Sequence, residues 1–198
     1  MSERAHHRPT APGNHFFEAI SSGVDPAELQ EAADRAATLL VRGAHDSGDD
    51  AVAERLLHLA DTEGIETIAE VWSASAGDSL AGCLWRLFLL RSWVYADPAG
   101  VAHQFEAGRA AAPVARVVAG VADPPGPDEL KAMIDQVLRG IARGDFADVL
   151  FRASAFARVV ATGRAGLPTT SEQEVARMLA LAEQLEAAGH LELAHGLA

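Results

Sequence analysis

The chain has 198 residues, is 49% hydrophobic and 22% charged, and carries one cysteine and a formal net charge of −12. That composition suits a globular domain with a real core and rules out an internal disulfide. It also disfavours direct nucleic-acid binding, because an acidic chain repels phosphate and no cluster of basic residues offsets the charge.

Residues 1–14, MSERAHHRPTAPGN, are polar and broken by Pro and Gly, which predicts a disordered tail. No apolar stretch of signal-peptide type opens the chain, so a cytoplasmic location is expected. Residues 15–198 read as a single all-helical domain. After HFFEAISSG, a possible short helix, the first firm helix starts at DPAELQ, with Asp25 as cap, Pro26 in the first turn and Glu28 completing a capping box. Its apolar stripe reads Leu29, Ala33, Ala36 and Leu40, and Gly43 is the expected stop. HDSGDD reads as a loop. A second helix carries Val52, Leu56, Leu59 and Ala60 to Gly64, and a shorter one turns Ile65, Ile68 and Trp72 inward.

SAGD breaks the pattern before SLAGCLWRLFLLRSW, Ser79 to Trp93, the most apolar run of the chain. It is too short, and with two arginines too charged, to span a bilayer. Asp97 and Pro98 start a further helix to about Gly108, and a short one is expected over 112–121. ADPPGP is the strongest break, so a subdomain boundary is expected near 122–127 if the chain has one. Two regular helices follow. The first has Leu130, Met133, Ile134, Val137, Leu138 and Ile141 on one stripe; the second, capped by Asp145, has Phe146, Val149, Leu150, Ala153, Phe156 and Val160. TGRAGLPTT is a loop, and Ser171 with Glu174 forms a capping box for a last helix through Val175, Met178, Leu179, Ala182 and Leu185. No segment alternates with period two long enough to make a strand. The expected fold is an all-α bundle of about eight or nine helices around a central apolar helix near 79–94.

Charge is unevenly spread. Residues 45–78 hold nine acids against Arg55, whereas 79–120 hold Asp97 and Glu106 against Arg86, Arg91, Arg109 and Arg116. The acidic block is a solvated surface or a docking face for a basic partner. On a helical projection with Leu80 at zero and 100° per residue, Cys83, Val94, Leu87, Leu84 and Phe88 fill one broad arc, and Arg91 falls inside it at about 20°. Arg86 falls between Trp93 and Leu90, and Trp85 and Leu89 take the remaining side. No face is polar, as expected of a helix buried by its neighbours or used on one side as a subunit interface. A buried arginine needs a carboxylate, and Glu66 or Glu70 on the preceding helix is the expected partner of Arg91. The alternatives are snorkelling from the last turn and an anion or partner site.

Catalytic signatures are missing. The chain has no P-loop, dinucleotide fingerprint or nucleophile elbow. Glu192 and His195 form one Glu-x-x-His, where a di-iron bundle needs two such motifs and two further glutamates. Glu54 with His58, Glu186 with His190 and His103 with Glu106 each offer too few ligands for a metal. Cys83, between Gly82 and Leu84, reads as a buried, inert thiol. No catalytic residue, cofactor or metal is therefore expected.

LWRLFLLRSWVYADP, VAGVADPPGPDELKAMIDQVLRGIARGDFADVL and RASAFARVVATGR resemble segments of a family of functionally uncharacterised, all-helical proteins from actinobacteria, over about residues 15–165. The resemblance implies an all-helical fold and no activity. Members of such families sometimes carry a label as an RNA polymerase beta subunit, which a 198-residue chain lacking that subunit's catalytic apparatus does not support. The expected function is a non-enzymatic protein-interaction or regulatory module with a protein partner, or a homodimer, and no membrane. The first alternative is a small-ligand sensor with a pocket near Trp72, Trp85, Trp93 and Arg91; the second is an enzyme with chemistry that no motif marks, which would need His, Asp and Glu side chains converging in one cleft. Trp72, Trp85, Arg86, Arg91 and Trp93 are the candidate partner or ligand residues.

Overall fold

The computed structural model describes residues 26–47, 58, 72–111, 126–143, 145–168 and 170–197. Among the described residues there are six helices and no strand: α1 (Pro26–Ser47), α2 (Leu80–Ala96), α3 (Pro98–Ala111), α4 (Pro127–Arg143), α5 (Phe146–Ala165) and α6 (Glu172–His195). The all-α class holds, but a count of eight or nine is not reached. The helices expected over 52–64, 65–72 and 112–121, the tail 1–14 and the break near 122–127 fall wholly or mainly outside the described residues. No described helix is long and apolar enough to cross a membrane.

α2 is the central element, touching α1, α3, α4, α5 and α6. Its start is fixed locally, where the Ser79 hydroxyl accepts the Gly82 N–H and so satisfies one of the orphan donors of the first turn. Gly82 is needed for a second reason: a Cβ there would lie 1.8 Å from the Ala76 carbonyl oxygen, so the preceding turn can close onto the helix only over a glycine. Leu80, Leu84, Leu87, Phe88, Leu90 and Val94 are all buried, each worth about 1.5–3 kcal/mol of apolar transfer. The helix runs to Ala96, just before the Asp97–Pro98 start of the next one. Arg91 is therefore more than a turn from the C-terminus, where the dipole offers it little.

α5 and α6 form an antiparallel hairpin. Ser154 Oγ donates to the Ala182 carbonyl at 2.8 Å, Arg158 pairs with Glu186, and the Phe151 and His190 rings meet edge-on at 5.0 Å. The Ser171–Glu174 capping box is present with both of its reciprocal hydrogen bonds, and the Asp145 carboxylate accepts the Ala147 N–H. α3 crosses α5 at two glycines. A Cβ at Gly108 would sit 1.9 Å from the Val159 oxygen, and one at Gly163 would sit 1.8 Å from the Gln104 oxygen. Phe105 and Phe156 stack beside this crossing at 5.4 Å.

Some boundaries differ from expectation. α1 does not stop at Gly43; it continues to Ser47. Gly43 keeps a negative φ, so the left-handed cap that a terminal glycine supplies is not formed there. The buried stripe of α1 is Ala33, Ala37 and Val41, with Ala36 and Leu40 only half-buried. α5 extends to Ala165, taking in the first residues of the expected loop TGRAGLPTT. On α6 the buried stripe is Met178, Ala182, Leu185, Ala188 and Gly189, while Val175 and Leu179 lie at its edge.

Candidate functional site

The five candidate residues separate into three environments. Trp72 is a core anchor: its indole N–H donates to the Ala33 carbonyl at 3.2 Å and its ring stacks on Phe88 at 6.0 Å. This ties the turn before α2 to α1.

Arg91 is 5% exposed and turns towards α4. Its Nε donates to Asp135 Oδ1 at 2.8 Å, and the Tyr95 hydroxyl donates to Asp135 Oδ2 at 2.6 Å. Both oxygens of one carboxylate are thus engaged by α2. The guanidinium also stacks 4.0 Å from the Tyr95 ring centroid, and the Lys131 ammonium lies 5.8 Å from the same ring. Charge, hydrogen bonds and a cation–π contact together satisfy a cation that would otherwise be costly to bury. Glu66 and Glu70, the expected partners, lie outside the described residues.

Arg86 turns towards α6. Its Nε donates to Gln184 Oε1 at 2.7 Å and its Nη1 to the Gly82 carbonyl at 2.7 Å. Trp85 and Trp93 are half-buried against the core, with Leu89, 41% exposed, between them. The three recur at i, i+4 and i+8 and so share one helix face. Arg164, from the end of α5, lies over the Trp93 ring at 5.4 Å and reaches Glu174 of α6 at 3.4 Å. The open edge of this central helix is therefore mainly apolar and aromatic, with arginines at both ends.

The other candidate groups among the described residues are mostly engaged in packing and ion pairs. Burial pushes the Cys83 thiol up to about 12, with its Sγ near the Gly77 carbonyl at 3.7 Å. Such a thiol supplies no thiolate at neutral pH. Glu192 is held by Arg42 in a bidentate pair and accepts the Leu197 N–H, so its carboxylate is committed to the C-terminal end of α6. Glu186 belongs to Arg158 and Glu106 to Arg109. His58 is exposed, and Glu54 lies outside the described residues. No group of three or more His, Cys, Asp or Glu is placed to hold a metal among the described residues. A cleft of about 220 Å³ between α4 and α5 is lined by Gln136, Arg139, Asp148 and Arg152 among others, and none of the tryptophans lines it.

Asp135, Tyr95, Gln184 and Arg164 were missed by reading the sequence. Asp135 directly follows the buried Ile134 and so sits at the margin of the α4 stripe, a position that usually faces solvent. Only the register of α2 against α4 gives it a partner, and no local signal encodes that register. Comparisons with protein families, with curated proteins and with solved structures returned no match to this chain.

Proposed function

We propose that this chain is a non-enzymatic protein-interaction module whose contact surface is the open edge of α2. The observation that carries the reading is the character of that edge. α2 packs against five other helices, and its half-open side presents Trp85, Leu89 and Trp93, with Ser92 and Arg86 at the margins. Large aromatic groups partly open to solvent, beside arginine, are what the energetic centres of protein interfaces are made of. The engaged state of Cys83, Glu192 and Glu186 supports a non-catalytic role.

The small-ligand reading draws less support. Arg91 is engaged by Asp135, and Trp72 by Ala33 and Phe88.

The test is affinity capture from the native cell extract with Leu89→Asp as the comparison, alongside light scattering for oligomeric state. Leu89 is already 41% exposed, so the substitution leaves the core intact. The expected result is that a partner retained by the native chain is lost by Leu89→Asp while the helical content of the two chains stays equal. Identical partners and identical mass for both chains would overturn the reading.

A further inference from the structure

α2 and α6 run antiparallel along the open edge. Arg86 meets Gln184, and seven residues further along α2, Trp93 meets Arg164, which reaches Glu174. Arg177, Leu181 and Gln184 are spaced i, i+4 and i+7 and share the face of α6 that looks towards α2. Leu181 is packed partly against the core and Arg177 is exposed. The seam thus combines an apolar floor, Trp85, Leu89, Trp93 and Leu181, with Arg86, Arg164 and Arg177.

The charge of this seam is opposite to that of the whole chain, which is −12. The hydrogen bonds of Arg86 go to two neutral acceptors, the Gln184 amide and the Gly82 carbonyl. The Arg164 Nε is buried with no acceptor. Glu174, the carboxylate that Arg164 reaches, already accepts the Ser171 N–H and hydroxyl, and those bonds hold it below the usual carboxylate range. Among the described residues, positive charge is left over beside an apolar floor.

We propose that the seam between α2 and α6 accepts an acidic amphipathic helix, one with an apolar stripe flanked by carboxylates. This inference rests on reading the α2 edge as a contact surface. From Trp85 to Trp93 the floor is about 12 Å long at 1.5 Å per residue, enough for two apolar anchors one turn apart on an incoming helix. The carboxylates beside them meet Arg86, Arg164 and Arg177. The overall negative charge does not prevent this: at physiological salt the screening length is about 8 Å, so a helix in contact senses the nearest arginines first. A second copy of the chain fits poorly, because a two-fold contact apposes the same surface on both subunits and so brings the arginine sets together.

The test uses the full chain and two synthetic amphipathic peptides of about four turns, each with leucines at i and i+4. One is flanked by glutamates and the other by lysines, and binding is read by fluorescence anisotropy. The acidic peptide is expected to bind at least about tenfold tighter than the basic one and to weaken about tenfold in Arg177→Glu, which alters an exposed side chain only, and as salt rises several-fold above physiological. Equal binding of the two peptides overturns the acidic partner but leaves the contact surface standing. So does binding of neither peptide while capture remains sensitive to Leu89→Asp. A dimer abolished by Leu89→Asp gives the seam to a second copy, and binding to anionic phosphatidylserine vesicles in preference to the acidic peptide gives it to a lipid surface; either overturns the proposal.

Discussion

Arg91 Nε lies 2.8 Å from Asp135 Oδ1, between side chains only 6% and 16% exposed and 44 positions apart in the chain. The pair joins the central helix to α4, and Tyr95 completes it from one turn along α2. Breaking such a pair from one side takes a charged acceptor from a guanidinium that is almost fully buried. Asp135→Ala is therefore expected to lower unfolding stability by about 3 kcal/mol, read from the urea midpoint at constant slope. Combining Arg91→Met with Asp135→Leu should cost clearly less than the sum of the single changes, because it removes both charges together. Strict additivity would mean that the two groups do not depend on one another.

Helix positions were legible wherever punctuation was local. Ser171 and Glu174, Asp145, and the apolar stripes of α4 and α5 announce their elements in sequence, and the structure uses them in those roles. Gly43 misled, because a glycine ends a helix only when the backbone turns left-handed, and nothing local forces that turn here. The surroundings of Arg91 were legible only as a need. The projection put the cation in the apolar arc and so required an acceptor. The identity of Asp135 depends on how two helices far apart in sequence slide past one another. The open edge of α2 was hidden for a similar reason: a helix apolar all round does not say which of its faces the fold leaves uncovered.

The α3–α5 crossing separates two kinds of glycine. At Gly108 and Gly163 a methyl group would collide with backbone oxygens under 2 Å away, and backbone cannot turn aside as a flexible side chain can. Gly108→Ala or Gly163→Ala should each cost at least about 2 kcal/mol through forced separation of the helices. Gly43, helical and with nothing within 4 Å of its would-be Cβ, should behave oppositely. Gly43→Ala should add about 0.5–1 kcal/mol from helix propensity. Thermal unfolding of the three variants decides the matter; a common sign would refute the distinction.

Cys83 is expected to resist thiol reagents in the native chain. Its pKa, pushed up to about 12 chiefly by burial, leaves almost no thiolate between pH 7 and 9, against a free thiol near 8.5. Reaction with a disulfide reagent should therefore proceed no faster than local or global unfolding, and should become rapid in denaturant. Prompt labelling of native protein at pH 8 would show an accessible thiolate.

Glu192 makes stability depend on pH at the acid end. The Arg42 guanidinium that donates to it holds its carboxyl below the usual carboxylate range, whereas in the unfolded chain it titrates near 4.3. Between those two values the unfolded state binds more protons, so stability rises with pH there. The contribution is complete above about pH 5 and is lost as pH falls through the folded value. Arg42 is partly solvated, so the pair is worth about 1 kcal/mol, well short of a fully buried pair. Glu192→Gln should remove that amount at pH 7 and flatten the acid limb below about pH 5. It should also loosen Leu197, whose N–H bonds to this carboxylate and whose carbonyl accepts from Arg42. Hydrogen exchange at Leu197 together with urea midpoints across that pH range measures both effects. An unchanged acid limb in Glu192→Gln would show that other carboxylates carry the acid sensitivity.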